Sequence, residues 1–152
     1  MVKERSLSRP AAPAADARAL RVLVTTLGLD LHDLGARVIG KGLADAGMQV
    51  IIGNRLSPKE ATQIAVQEDV DVIGLSVLHG AHRYLLPTCV KALRQAGRDD
   101  ILVIAGGTIP AADVPQLKAQ GVAEVFRSGT SIAEIVAYLG AYAAQHRPGD
   151  RS

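Results

Sequence analysis

Aromatic side chains are scarce in this 152-residue chain: they make up 3% of it, with no Trp and a single Phe, Phe126. A core must therefore be built from Ala, Val, Ile and Leu. Cysteine is nearly absent, and the lone Cys89 excludes an internal disulfide framework and any multi-cysteine metal cluster. No apolar run approaches the roughly 18 residues of a membrane-spanning helix. Charge of one sign is also missing, because the formal net charge is only +2. Composition thus points to no nucleic-acid partner and no anionic membrane. The charged N-terminus lacks an apolar stretch of the kind that marks a secretory signal. What is present is 48% hydrophobic and 21% charged residues, which suits a globular core and argues against disorder. At roughly 150 residues per domain, the expectation is one soluble, cytoplasmic domain.

Residues 1–19 mix charges with Pro10, Pro13 and runs of Ala, and show no apolar period. They read as a mobile tail, as do residues 146–152, which leaves a domain at 20–145. Between the tails, short β-branched runs alternate with helical periodicity. Strands are expected at 21–26, 48–52, 70–77, 101–105 and, more weakly, 122–126. Helices are expected at 34–46, 57–68, 83–96, 111–120 and 130–144. Ser57-Pro58-Lys59-Glu60 has the form of a capped helix start. Gly47, Gly97 and Gly121 fall where helices stop. Near-continuous apolar strands mean burial on both faces. The expected fold is therefore α/β, a doubly wound five-stranded parallel sheet of the flavodoxin-like (Rossmann-like) kind. Ligands of such sheets sit at the carboxyl ends of the strands, near the switch point. The loops there are 27–35, 78–82 and 106–109.

The first of these loops places Asp30 two residues before His32. A turn can let such a carboxylate hold one ring nitrogen, fixing the tautomer and making the other nitrogen a better metal donor. Equally, Asp30 or Asp33 can cap the next helix while His32 stands in solvent. Spacing alone leaves both open.

Three elements in order carry a resemblance. Asp30-x-His32-x-x-Gly35, then Ser76-Val77-Leu78 after the third strand, then Gly106-Gly107 after the fourth, resemble the D-x-H-x-x-G, S-x-L and G-G elements of cobalamin-binding domains. Residues 21–139 resemble the small, cobalamin-binding subunits of adenosylcobalamin-dependent acyl-CoA mutases. These include mutases of methylmalonyl-, isobutyryl- and 2-hydroxyisobutyryl-CoA. The resemblance implies that His32 is the lower axial ligand to the cobalt of cobalamin, with its far nitrogen held by Asp30. Asp33 lies in the same cofactor loop. Gly35 would allow close approach of the displaced nucleotide tail, Ser76 would offer it a hydroxyl and Leu78 would pack on it. Gly106 and Gly107 would keep a slot clear, Gly80 would border the site, and Gly129 and Thr130 would contact the tail. The resemblance also implies adenosylcobalamin as cofactor, an isomerase reaction by radical rearrangement, and a separate large subunit that binds acyl-CoA. This chain would then be inactive alone, and no catalytic residue beyond the cofactor ligand is expected in it.

The sequence departs from the family pattern at three places. Thr26, Leu31 and Leu34 stand where Lys, Gly and Arg are common. Binding is expected to survive, because the signature residues do. His79 and His82 have the i, i+3 spacing of a metal pair but no third ligand close in sequence, so a polar loop is the plainer reading. Cys89 reads as a buried small hydrophobe. Lys91, Arg94 and Arg98 read as a solvated helix face, Asp99 and Asp100 as turn residues, and Ser128 and Ser131 as caps. His146 reads as a solvated tail residue. A non-catalytic corrinoid carrier or sensor is the alternative function. Such proteins commonly place a helical bundle ahead of the domain, which residues 1–19 are too short to form. A receiver domain would need acids after the first strand and an Asp ending the third, and Ser76 stands there instead.

Overall fold

The computed structural model describes residues 19–28, 33–77 and 80–146. Five strands, β1 (Arg21–Thr26), β2 (Gln49–Ile52), β3 (Val72–Val77), β4 (Leu102–Gly107) and β5 (Glu124–Arg127), form one sheet in the order β2-β1-β3-β4-β5. Every neighbouring pair is parallel. Five helices connect and follow them: α1 (Asp33–Asp45), α2 (Pro58–Gln67), α3 (His82–Gln95), α4 (Val114–Ala119) and α5 (Ile132–Gln145). This strand order is the doubly wound, flavodoxin-like one, with its switch point between β1 and β3. Among the described residues, no helix is long and apolar enough to cross a membrane.

Period-two alternation along the strands divides the core into two layers. Leu23, Ile73, Leu75, Val77, Val103 and Ala105 face one side, where they meet Ala61 and Ala65 of α2, Leu86, Cys89 and Leu93 of α3 and Leu117 of α4. Val22, Val24, Val72 and Ile104 face the other, where they meet Ala36 and Leu43 of α1 and Ile135 and Leu139 of α5. Strands buried on both faces need apolar residues at every position, which is why VIGLSV and LVIAGG show no polar alternation.

Local signals set the helix starts. Ser57 caps α2 through a reciprocal box: the Glu60 N–H donates to Ser57 Oγ at 3.0 Å, and the Ser57 N–H to Glu60 Oε1 at 2.9 Å. Ser131 and Glu134 repeat the device at α5. Gly47 takes φ +98 behind α1, which is the left-handed conformation expected of a residue closing a helix.

Four details differ from the sequence reading. The β4 strand runs through Gly106 and Gly107 rather than stopping at Ala105, because both glycines pair with β3 and β5. The expected helix at 111–120 is split into a 3-10 turn, Ala111–Asp113, and the short α4, which carries Pro115 in its first turn. Arg98 is not on a solvated helix face. It lies beyond α3, bonds Asp69 at 3.0 Å and Asp100 at 2.9 Å, and is largely covered. His146 is exposed, as expected, but caps α5 and stacks on Tyr142 with ring centres 4.3 Å apart.

Candidate functional site

Between the sheet and helices α1 and α5 runs a cavity of ≈ 650 Å³. Its floor is one face of three strands. Val22 and Val24 come from β1, Gly74 and Ser76 from β3, and Ile104 and Gly106 from β4. Register aligns them in rows: Val24 beside Gly74 beside Ile104, and then Ser76 beside Gly106 beside Phe126. The roof is one stripe of α1, Gly35, Ala36, Ile39 and Leu43, together with Ile135 of α5. The space exists because three strand and helix positions carry no side chain. A Cβ at Gly35 would meet nothing within 4 Å, one at Gly106 only the Phe126 carbonyl oxygen at 3.3 Å, and one at Gly74 the Ile104 side chain at 3.6 Å and the Leu23 carbonyl oxygen at 3.8 Å, both ordinary contacts.

The mouth is polar and lies at the carboxyl ends of β3, β4 and β5. Ser76, Thr108, Arg127, Ser128 and Thr130 line it. Thr130 Oγ1 donates to the Arg127 carbonyl at 2.7 Å, so its proton is engaged and its oxygen still accepts. Arg127 Nε donates to the Ile109 carbonyl at 2.9 Å. The glycine pair does two different jobs. Gly106 opens the floor, whereas Gly107 has φ +119 and its Cβ would lie 2.6 Å from the Val77 carbonyl oxygen. No L side chain fits there, whatever fills the slot.

Six residues expected at a ligand site therefore surround one cavity: Gly35, Ser76, Gly106, Gly107, Gly129 and Thr130. Asp33 is the first residue of α1. Gly80 does not line the cavity. It has φ +92, and its N–H donates to His82 Nδ1 at 3.1 Å. Asp30, His32 and Leu78 lie outside the described residues, as do Leu31 and His79.

The departure at Thr26 has a structural account. Thr26 is fully buried, and its Oγ1 accepts the Arg55 N–H at 2.7 Å, which pins the β2–α2 loop to the end of β1. His82 is likewise buried rather than a polar loop residue. It opens α3 and pairs with Asp113 at 2.7 Å. Among the described residues, no group of three His, Cys, Asp or Glu side chains could hold a metal ion. Sequence reasoning missed Gly74, Ile39, Thr108, Arg127 and Asp113. A glycine inside an apolar strand, as at Gly74, is itself a signal of close approach by something else. Arg127 and Asp113 had no local signal.

An apolar slot that opens through a polar mouth at the strand ends of a doubly wound sheet marks a ligand-binding α/β domain. The chain belongs to the B12 binding domain family, which matches residues 20–137. It is 41% identical over 134 residues to the 2-hydroxyisobutanoyl-CoA mutase small subunit of Aquincola tertiaricarbonis, covering 83% of this chain and 98% of that protein. It is 43% identical to the methylmalonyl-CoA mutase large subunit of Porphyromonas gingivalis and 40% identical to the methylmalonyl-CoA mutase of Escherichia coli. These matches cover 78% and 81% of this chain, and the chain spans 17% of the length of each of those two proteins. Among solved structures, a cobalamin-binding protein from Desulfitobacterium hafniense shares the fold with a TM-score of 0.71 at 23% identity, over 82% of this chain and 59% of that one. The receiver domain of NarL from Mycobacterium tuberculosis shares it with a TM-score of 0.64 at 19% identity, over 86% and 99%.

Proposed function

We propose that this chain is the cobalamin-binding subunit of an adenosylcobalamin-dependent acyl-CoA mutase and works with a separate, larger acyl-CoA-binding subunit. The observation that carries this is the match along 98% of a mutase small subunit, as against only about a sixth of the methylmalonyl-CoA mutase relatives.

The slot supports the choice of cofactor. The nucleotide tail of cobalamin is a flat, uncharged benzimidazole joined through ribose to a phosphodiester. A flat base suits a floor thinned by Gly74 and Gly106, walled by Val24, Ile104 and Ile39. Ribose hydroxyls suit the Ser76 and Thr130 oxygens at the mouth. With the tail in the slot, His32, between β1 and α1 in sequence, would be the residue that ligates the cobalt. Asp30, two residues earlier in sequence, would hold the other nitrogen of that ring and fix its tautomer. When bound, adenosylcobalamin supplies the radical chemistry of the rearrangement. The protein's part is to bind the tail, to present His32 and to shield the lower face of the cofactor from water. Asp33, at the start of α1, and Leu78, which follows β3 in sequence, would border the same cofactor.

The test is a titration of the purified chain with adenosylcobalamin, read by visible spectrum, alone and with a large mutase subunit. The wild type is expected to bind with histidine ligation, and His32→Ala to lose that spectrum while keeping its fold. Retention of the spectrum by the variant would move the ligand elsewhere. Turnover of an acyl-CoA by the purified chain alone would overturn the two-subunit assignment. Binding without turnover, with every large subunit tried, would favour a corrinoid carrier or sensor.

A further inference from the structure

We infer that Arg127 holds the phosphodiester of the cofactor's nucleotide tail, an inference that rests on the cobalamin assignment above. Among the described residues lining the slot, Arg127 is the one that carries a charge. The rest of the lining is aliphatic, glycine, hydroxyl or Phe126. The tail in turn carries one charge, on its phosphodiester, and an anion drawn against an apolar wall without a partner loses hydration it cannot replace. One cation in the lining and one anion in the ligand form a matched pair.

Arg127 is also prepared for that task. It ends β5, paired with Gly107 at the end of β4. Its Nε donates to the Ile109 carbonyl, just beyond the carboxyl end of β4, which fixes the guanidinium at that end of the sheet. Among the described residues, no carboxylate lies in salt-bridge range of Arg127 and neither Nη group has a partner. Two terminal N–H groups on a fixed plane fit a phosphate by the fork geometry that arginine provides and lysine does not.

Two other candidate anion sites at this end of the sheet are already engaged. Arg83 lies 3.3 Å from Asp113. The N-terminus of α5 is closed by its own acid: Glu134 Oε1 accepts the Ser131 N–H at 3.0 Å, and Ser131 Oγ accepts the Glu134 N–H at 3.1 Å. A phosphate brought there would face the Glu134 carboxylate.

The experiment compares three ligands in the full chain. Adenosylcobalamin carries base and phosphodiester, adenosylcobinamide carries neither, and adenosylcobinamide phosphate carries a phosphate without the base. Arg127→Gln, which keeps a donor near the Ile109 carbonyl, is used beside Arg127→Ala, and circular dichroism checks that both fold. Both variants are expected to bind adenosylcobalamin and adenosylcobinamide phosphate at least roughly tenfold more weakly than wild type, the usual scale for losing a charge-assisted bond. Binding of adenosylcobinamide is expected not to change. Added salt should weaken wild-type binding more than that of the variants. Unchanged adenosylcobalamin binding by Arg127→Gln, or an equal loss for all three ligands, would overturn the assignment of Arg127. A wild type that binds none of the three would overturn the cobalamin assignment itself, and Arg127 with it.

Discussion

His82 Nε2 lies 2.7 Å from Asp113 Oδ2, and the pair ties together two segments 31 residues apart in sequence. One is the start of α3, just after the loop that follows β3. The other is the 3-10 turn that follows β4. The Gly80 N–H donates to Nδ1 at 3.1 Å, so in the neutral ring Nε2 carries the proton and donates it to the carboxylate. Both segments leave the sheet at its carboxyl end, next to the mouth of the slot. The pair thus fixes the spacing between two of the three loops on which the site depends.

Replacing His82 should cost more than an ordinary surface change. The side chain is completely buried, and His82→Ala would leave a void, an unpaired Gly80 N–H and an Asp113 without its main partner. A loss of about 2–4 kcal/mol is expected, from a cavity plus an unmade hydrogen bond. Urea unfolding measures it, and a loss below about 0.5 kcal/mol, the range of ordinary surface changes, would mean that the pair is not structural.

Asp113 gives a dependence on acid. The hydrogen bond from His82, aided by Arg83, holds its carboxyl below the usual value. The sign follows from linkage: a carboxyl depressed in the folded state stabilises it above the ordinary carboxylate range, and that contribution is lost as pH falls through the folded value. Wild type and Asp113→Asn should therefore differ by a constant urea midpoint near neutral pH. The difference should shrink as pH drops below the ordinary value of 3.8. A gap that stays constant down to unfolding would remove Asp113 from the acid response.

Cys89 should be silent in the native protein. It is fully buried on α3 against the sheet, and burial pushes its thiol up to about 11. A thiol held neutral and covered is neither nucleophilic nor reachable. Ellman's reagent is expected to label no thiol at pH 8 in the folded chain and one per chain in urea. Rapid labelling of the native protein would show that α3 opens locally.

The layout of the sheet was legible because its signals are local. The Ser57–Glu60 box, the glycines behind the helices and the unbroken apolar strands each act over a few residues, and each is found in place. The ends of elements were less legible where tertiary pairing overrides propensity. Gly106 and Gly107 are poor strand formers, yet β3 on one side and β5 on the other hold them in the ladder. Long-range pairs were not legible. Nothing near His82 announces Asp113, and nothing near Arg98 announces Asp69. Of the candidate site, Gly35, Ser76, Gly106 and Gly107 could be read from their motifs, whereas Gly74 belongs to none of them and Arg127 comes to this end of the sheet only through the pairing of β5 with β4.

Gly74 offers the most direct test of the slot, because it separates the cavity from the fold. Its φ is not in the left-handed region, and a Cβ there would touch Ile104 at an ordinary 3.6 Å. A β-branched residue in the middle of a strand suits the backbone better than glycine does. Gly74→Val should therefore keep or raise the melting temperature. Its two methyl groups would nonetheless stand on the floor, between Val24 and Ile104, where the flat base is to lie. Overpacking of that size costs about 1–3 kcal/mol, so adenosylcobalamin binding should weaken by roughly ten- to a hundredfold. Adenosylcobinamide, which has no base to insert, should bind the variant as it binds wild type. A folded Gly74→Val protein with unchanged affinity for adenosylcobalamin would show that the tail does not enter between the sheet and α1.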